Sequence, residues 1–383
     1  MLLVACLAAV LAFASAPVAG AATGAVTLSA SAPVVSFGGS VTLTALVSPA
    51  AAGETVEIRD ASGELVATGT TGVSGGFAAL VTPQADASYV AVWAGQRSEA
   101  VAVGVRSALS VHLGSVRLFD TTSIRGTVAP ARPSAPVTVQ LRVGGVVVAT
   151  REVSMGAGGA FHASFSIRRP GTYSVRASVT APDLQPGAAV DGPRRTPLPS
   201  LHAGSQGTFV RLLERRLAAL AYHLTGAADG VYDLRTADAV MAFRKVQGMA
   251  RTQVVDPAVW RALAAPKPFR VRSHAAGSHI EVNQTLQVLA IVRNGEVVSL
   301  LHVSTGKPST PTYDGAYRVY RKLAGYSPHD LYYPSYFDGD RAVHGWPDVP
   351  SYAASHGCVR IPYWAATWMF AQDPVGTRVL IYH

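Results

Sequence analysis

The stretch Leu286–Val303, LQVLAIVRNGEVVSLLHV, consists of two apolar runs on either side of Asn294-Gly295. An Asn-Gly pair between two such runs is the strongest short-range signal for a β-hairpin. We therefore expect one strand from Leu286 to Val292 and a second from Val297 to Val303.

The predicted hairpin belongs to a larger β-rich domain that covers residues 269–383. Ile280–Asn283 predicts a strand before the hairpin, and Leu380–Tyr382 predicts a strand at the end of the chain. Turn-forming residues are frequent between them, and this segment also carries the residues with the most reactive chemistry.

The chemistry of this domain is expected around Cys358. A neighbouring imidazole can generate and stabilise a reactive thiolate, and His344 and His356 both lie within 14 residues of Cys358. Gly357 allows a sharp turn whose amides can hold a developing oxyanion. Arg360 would share the side of Cys358 in an extended segment, where it can bind a carboxylate. The pattern indicates acyl transfer through a thioester.

Two other interpretations of these residues remain open at this level. Cysteine is often a buried, inert residue, so Cys358 can be a structural thiol. His344, His356 and Cys358 also have the side-chain types of a zinc site, although zinc ligands usually include closer pairs such as Cys-x₂₋₄-Cys.

A small helical module precedes the β-rich domain. Apolar residues recur every three or four positions from Phe209 onwards and again from Ala239 to Val246, which predicts two amphipathic helices. Gly248 is expected to end the second helix. Asp256-Pro257 is expected to begin a third helix as N-cap and first-turn proline.

Residues 24–183 show the alternating pattern of short β-strands, in two copies of about 80 residues. Thr55–Arg59, for example, corresponds to Thr138–Arg142. We expect two antiparallel β-sandwiches, at 24–105 and 106–183, acting as spacers or ligand-binding domains. The Pro- and Gly-rich residues 184–200 are expected to form a flexible linker.

The first 22 residues are predicted to be an export signal. An apolar run at 2–14 is followed by Ala19-Gly20-Ala21, which fits a cleavage site, although no Lys or Arg occurs before Arg59. An uncleaved membrane anchor is the alternative, and lipidation of Cys6 is a second one. Removal of the signal would leave Cys358 as the only cysteine.

Composition and charge exclude several classes of protein. Hydrophobic residues make up 49% of the 383 residues and charged residues 14%, which excludes a disordered chain. The net charge is +9, but no basic block stands out, so we expect no nucleic-acid partner. The charge suits a protein that works beside an anionic wall polymer.

Three resemblances follow from these motifs. Residues 201–264 resemble the three-helix peptidoglycan-binding module, and the sandwiches resemble immunoglobulin-like modules of bacterial surface proteins. Residues 269–383 resemble the L,D-transpeptidase catalytic domain of the YkuD type, whose signature is Ser355-His356-Gly357-Cys358-Val359-Arg360 with His344-Gly345 before it. The implied fold is multidomain and mainly β, with a β-rich catalytic domain.

The catalytic resemblance also implies roles for individual residues. Cys358 would be the nucleophile and His344 its base, with the Gly345 carbonyl orienting the imidazole. His356 and the amides around Gly357 would shape the oxyanion site. The residues implied to contact substrate are Arg360, Ser355 and Tyr333.

The implied reaction needs no cofactor and no metal. The donor is a peptidoglycan stem tetrapeptide, and an amine of a second stem gives a 3→3 cross-link, whereas water would give an L,D-carboxypeptidase. A catalytically silent wall-binding protein is the non-enzymatic alternative. Peptidoglycan peptides and glycan are the expected partners of an exported monomer that meets a membrane only through an uncleaved first segment. The helical module would hold the enzyme on the wall.

Overall fold

The computed structural model describes residues 24–383. The predicted export signal and Cys6 lie outside them. The described chain is multidomain and mainly β, with two sandwiches, a three-helix module and a β-rich C-terminal domain, as the sequence predicts. No helix in the described range combines the length and hydropathy needed to cross a membrane.

The first sandwich contains nine strands in two facing sheets. Its buried centre includes Val41, Leu43, Ile58 and Val103, which alternate with exposed residues as the period of a strand requires. The strands are β1 Ala25–Ala30, β2 Val34–Ser36, β3 Val41–Ser48, β4 Thr55–Asp60, β5 Leu65–Thr70, β6 Gly76–Val81, β7 Ala87–Trp93, β8 Gln96–Arg97 and β9 Val101–Arg106.

The second sandwich contains seven strands around its own apolar centre, which includes Ile124, Val139, Phe161 and Val175. The strands are β10 Ala108–Leu113, β11 Thr121–Ala129, β12 Val137–Val143, β13 Val146–Val153, β14 Ala160–Ser166, β15 Thr172–Ala181 and β16 Leu184–Arg195.

The internal repeat appears as equivalent strands in equivalent sheets. One sheet has the order β1-β3-β6 in the first copy and β10-β11-β14 in the second. The opposite sheet runs β5-β4-β7-β9 in the first copy and β13-β12-β15-β16 in the second. Thr55–Arg59 and Thr138–Arg142 lie in β4 and β12, so the predicted correspondence is confirmed.

Strand β16 occupies much of the segment that was expected to be a flexible linker. Residues 184–195 pair with β15 along most of their length, so the linker prediction is wrong for them. Pro186 and Pro193 are tolerated because β16 meets β9 only at Gln185 and is otherwise a sheet edge.

The same strand joins the two sandwiches. Gln185 pairs in parallel with Arg106 of β9, which makes one ten-stranded sheet from both copies. Asp86 reinforces the joint, because its carboxylate accepts from Gln185 Nε2 at 2.6 Å and its N–H donates to the carbonyl oxygen of Asp183 at 3.0 Å.

The helical module contains α1 Thr208–Ala219, α2 Leu234–Gln247 and α3 Pro257–Ala264. The predicted ends are confirmed: Gly248 closes α2 in the left-handed conformation, and the Asp256 carboxylate accepts from the first N–H groups of α3. Trp260 of α3 ties the module to the second sandwich, because its indole donates to the Pro199 carbonyl at 2.7 Å and its ring lies 6.4 Å from that of Phe119.

The C-terminal domain packs a five-stranded sheet, in the order β19-β18-β17-β25-β20, against a four-stranded sheet, β21-β22-β23-β24. A short helix covers one end. Its elements are β17 Ser278–Asn283, β18 Val288–Arg293, β19 Glu296–His302, β20 Gly315–Arg318, β21 Arg321–Lys322, β22 Tyr332–Asp338, β23 Arg341–Trp346, β24 Val359–Pro362, α4 Ala366–Gln372 and β25 Arg378–Tyr382.

The predicted hairpin is confirmed. Strands β18 and β19 pair antiparallel, and Asn294 and Gly295 both have positive φ, at 51° and 83°. Two consecutive residues with positive φ form the tight turn that matches the twist of a hairpin.

Strand β18 is apolar on both faces because both faces are covered. Leu289 and Ile291 point into the core between the two sheets. Val288, Ala290 and Val292 point the other way, into a core shared with the helical module. The helices and the catalytic sheet therefore form one packed body.

Polar contacts reinforce this shared core. The Trp364 indole donates to Asp238 of α2 at 2.8 Å. The His223 ring stacks on Trp368 at a centroid distance of 3.6 Å, and its backbone N–H donates to Leu300 at 2.9 Å. The module therefore docks on the catalytic domain through specific contacts as well as apolar ones.

Candidate active site

Cys358 lies at the end of a tight turn that leads into β24. The preceding Gly357 has φ of 115°, and a Cβ there would lie 3.0 Å from Arg341 Nε. The positive φ favours glycine at this position, and the Arg341 side chain leaves little room for a Cβ. The turn places Cys358 immediately before β24, and the neighbouring strand β23 contains His344.

Ser355 stabilises this turn through hydrogen bonds between its buried hydroxyl and the backbone. It is 1% exposed, and its hydroxyl donates to the Cys358 carbonyl at 2.5 Å while accepting from the Gly357 N–H at 3.1 Å. A hydroxyl with both roles filled positions the backbone, so the predicted substrate contact of Ser355 is corrected. The engaged Gly357 N–H is likewise no free oxyanion donor.

The register of β23 and β24 places three predicted residues on one face. These strands are parallel, with His344 opposite Arg360 and Val343 opposite Val359. Val343 and Val359 face the core. Because successive side chains of a strand alternate, His344, Arg360 and Cys358 all face away from it, and the sequence prediction that brings them together agrees with this geometry.

The His344 imidazole is fixed in orientation and tautomer. It is 2% exposed, and its Nδ1 donates to the Gly345 carbonyl oxygen at 2.9 Å. Donation from Nδ1 leaves Nε2 as the proton acceptor. The ring also meets Trp346 edge to face, with centroids 5.6 Å apart. The structure thus shows the contact predicted for Gly345.

Packing explains why position 345 is glycine. A Cβ there would lie 2.6 Å from the Cβ of Ala366 and 3.1 Å from the Tyr332 ring. The carbonyl that orients His344 therefore sits on backbone that is pressed against α4 and β22.

The sulfur of Cys358 is bound to the neighbouring strand and half-buried. It accepts from the Ala342 N–H at 3.5 Å and lies 3.7 Å from the Asp340 carbonyl oxygen, to which the thiol donates. Burial raises the pKa of the Cys358 thiol, against the opposing effects of the Ala342 N–H and of Arg360 and Arg341. Burial likewise lowers the pKa of His344 to about 4. The thiol and the imidazole are therefore both neutral at rest.

Arg360 lines the same face from the neighbouring position on β24. Its guanidinium lies 4.8 Å from the Trp346 ring centroid, and its backbone N–H and carbonyl pair with Ser304 at 2.9 and 3.0 Å. A stacked guanidinium keeps a fixed plane and can offer a fork of donors to a carboxylate.

Two predicted site residues make other contacts. His356 is exposed, and its Nε2 accepts from Lys307 Nζ at 3.2 Å, so its place in the oxyanion site stays a prediction. Tyr333 is partly buried and packs edge to face on Phe370 of α4 with centroids 5.2 Å apart, so its substrate contact also stays a prediction.

Arg341 is a candidate that the sequence pattern missed. It pairs with Asp338 at 2.9 Å, stacks at 4.4 Å on the Tyr313 ring, and has a buried Nε without a partner in the described chain. It lies beside Gly357, and its positive charge, like that of Arg360, acts to lower the pKa of the Cys358 thiol. The only sequence signal was a basic residue three positions before His344.

Within residues 24–383, no three His, Cys, Asp or Glu side chains converge as a metal site would need. The zinc interpretation of His344, His356 and Cys358 thus lacks a geometric basis, since the His356 ring is directed to Lys307.

Comparisons with known proteins identify two matching families. Residues 277–381 match the family of the L,D-transpeptidase catalytic domain, YkuD, and residues 206–263 match the peptidoglycan-binding domain family. The L,D-transpeptidase of Xylanimonas cellulosilytica is 36% identical, over 49% of this chain and 100% of that chain, with a TM-score of 0.46.

Two further solved structures are more distant. The L,D-transpeptidase of Stackebrandtia nassauensis is 23% identical over 48% of this chain and 95% of that chain, with a TM-score of 0.32. The catalytic domain of the Enterococcus faecium L,D-transpeptidase is 24% identical over 29% of this chain and 100% of that chain, with a TM-score of 0.26. No match was found among the curated proteins.

Proposed function

The chain belongs to the L,D-transpeptidase family, and we propose that it forms 3→3 peptidoglycan cross-links through a thioester on Cys358. The observation that carries the proposal is the register of β23 and β24, in which His344 and Arg360 are partners on the face that also bears Cys358. The neutral His344 supports a base role, since its Nδ1–H is committed to Gly345 and its Nε2 is the remaining acceptor.

The first half of the reaction transfers an acyl group to the enzyme. His344 Nε2 takes the thiol proton as the Cys358 sulfur attacks the carbonyl carbon between the third residue of the stem and its terminal D-Ala. The C–N bond then breaks, the imidazolium gives its proton to the departing amine, and D-Ala leaves. Starting from a neutral pair, proton transfer and attack occur together, so no free thiolate has to form before the attack.

The second half transfers the acyl group to an amine of another stem. Neutral His344 takes a proton from the attacking amine, a C–N bond forms, and the C–S bond breaks. The proton returns to sulfur and restores the thiol. Atoms and charges balance over the two halves, with D-Ala as the only small product.

The charges around Cys358 support an anionic substrate. Arg360 and Arg341 both lower the pKa of the thiol by their charge, so both are near enough to be felt at the sulfur. Stem peptides carry carboxylates, which planar guanidinium groups bind well. We assign Arg360 to the substrate carboxylate.

The peptidoglycan-binding domain supports peptidoglycan as the partner and the wall as the place of action. We propose that the enzyme is exported and acts as a monomer outside the cytoplasm. The sandwiches, which carry none of the predicted catalytic residues, serve as spacers in this proposal.

Mass spectrometry after incubation with purified stem tetrapeptides tests the proposal. We expect an acyl-enzyme that lacks the mass of D-Ala, followed by a cross-linked dimer. A trimmed tripeptide without dimer would identify an L,D-carboxypeptidase instead. Neither product, with folded protein, would refute both activities and leave a wall-binding structural role.

A further inference from the structure

The helical module reaches into the loop that connects the base to the nucleophile, here called the His–Cys loop, residues 346–357. The first contact starts at Lys245 in the last turn of α2, which is 2% exposed. Its Nζ donates to the carbonyls of Gln287 at 2.9 Å and Val303 at 3.1 Å, and to His302 Nδ1 at 2.6 Å. All three acceptors belong to the catalytic domain.

His302 connects Lys245 to the His–Cys loop through its two ring nitrogens. Its Nε2 donates to the Val349 carbonyl at 2.8 Å while its Nδ1 accepts from Lys245. His302 is 2% exposed, and burial together with the charge of Lys245 lowers its pKa to about 3. The ring therefore stays neutral, and its two nitrogens keep the donor and acceptor roles that link the module to Val349.

Gln287 provides a second path, which ends at the nucleophile. Its carbonyl accepts from Lys245, and its side-chain amide forms two bonds with Thr305, at 2.6 and 2.7 Å. The Thr305 carbonyl accepts from the N–H groups of Ala354 and Ser355, each at 2.9 Å. Ser355 is the residue whose hydroxyl holds the turn before Cys358.

Arg251, just after α2, holds the outer part of the same loop. Its guanidinium donates to the Ser351 carbonyl at 2.8 Å and to the Thr285 carbonyl at 2.7 Å. The helical module thus contacts the His–Cys loop at the rim through Arg251 and at its base through the Lys245 paths.

We propose that Lys245 is a positioning residue for Cys358, and that Arg251 positions the rim of the cleft, so that the helical module completes the catalytic site. The inference rests on the proposed transpeptidation for its activity readout. It goes beyond wall anchoring, because it requires the module for turnover of small soluble stem peptides that no anchor can influence.

Methionine at position 245 provides the main variant, since it is apolar and similar to lysine in length. Lys245→Met removes the three hydrogen bonds and leaves their acceptors without this donor, so we expect a modest loss of stability. Arg251→Met removes the rim contact, and Arg261→Met, on the exposed side of α3, is the matched control.

The experiment compares these full-length variants by steady-state kinetics on a soluble stem tetrapeptide, thermal melting, and amide hydrogen exchange of residues 346–358. For Lys245→Met we expect kcat to fall roughly ten- to hundredfold, because small misplacements of a nucleophile have effects of this size. KM should change little. Exchange should accelerate most within the His–Cys loop, with only a modest fall in the melting temperature.

Arg251→Met should raise KM more than it lowers kcat, and Arg261→Met should match the wild type. A folded Lys245→Met with wild-type kcat and wild-type exchange would overturn the proposal. A fall in kcat that merely accompanies lower melting and faster exchange throughout the protein would also overturn it, since that is the result of a structural role.

Lys245→Gln keeps an NH₂ group with two of the three N–H donors and should recover part of kcat. It carries the test if the methionine variant does not fold. Hydrogen exchange needs no substrate. If the wild type turns over no stem peptide, the proposed function fails, while faster exchange confined to the His–Cys loop of Lys245→Met still supports positioning.

Discussion

His344 and Arg360 are register partners in the parallel pair of β23 and β24. The proposed base and the proposed carboxylate-binding group are thus held side by side by backbone hydrogen bonds, with Cys358 two residues before Arg360. The proposed catalytic residues are therefore distinct from the residues that position the backbone, and variants can test each group separately.

Cys358→Ala should abolish turnover, since the half-buried sulfur is the proposed nucleophile. The melting temperature should change little, because the thiol makes only weak contacts at 3.5 and 3.7 Å. Product formation and thermal melting check this, and a variant that retains a tenth of the wild-type rate would exclude a cysteine mechanism.

His344→Gln should lower kcat roughly 10²- to 10⁴-fold, the usual range for loss of a general base. The amide can still donate to Gly345, so the geometry of the strand should persist. Kinetics on the stem tetrapeptide measure the effect. A loss below threefold would assign the base to another residue.

The wild-type thiol should alkylate slowly at neutral pH. Burial raises the pKa of Cys358 and lowers that of His344 to about 4, so between these values the proton stays on sulfur. The iodoacetamide rate should rise with pH in one transition above the free-thiol value of about 8.5. A fast plateau near pH 6 would instead indicate a resting thiolate–imidazolium pair.

Gly357→Ala should lower both stability and activity. Its φ of 115° is strained for alanine, on the order of 1–3 kcal/mol, and the new Cβ would press on Arg341 beside the nucleophile. Gly376→Ala is the matched control, with φ of 95° and nothing within 4 Å. Denaturation and kinetics should show similar stability losses but an activity loss confined to position 357; equal activities would contradict this.

A chain of residues 269–383 should be much less stable than one of residues 201–383. Removal of the helices would expose Val288, Val292 and Leu300, each worth about 1.5–3 kcal/mol when buried. Thermal melting and binding of a hydrophobic dye compare the two chains. Equal melting temperatures would show that the module is a separable tether.

Local signals predicted much of the fold. The Asn294-Gly295 turn, the Gly248 end of α2 and the Asp256 cap each depend on a few neighbouring residues, and all three are confirmed. Strand β16 was missed because Pro and Gly usually indicate a linker, whereas its pairing with β15 comes from the tertiary fold.

The same contrast between local signals and tertiary contacts applies to the candidate site. The spacing predicted that Arg360 shares the side of Cys358, and the resemblance implied the roles of His344 and Gly345. Neither signal pointed to Lys245, which is 113 positions from Cys358 and reaches the His–Cys loop through His302 and through Gln287 and Thr305. The sequence predicted that the helical module anchors the protein. That prediction did not take into account the apolar outer face of β18, which the helices cover.

The parallel contact between Gln185 and Arg106 has a mechanical consequence. The sandwiches share one sheet, Trp260 packs on the second sandwich, and the helices pack on the sheet of the C-terminal domain. Contacts therefore connect the folded units of residues 24–383 in series. A force applied to the first sandwich reaches the cleft at Cys358 through these contacts.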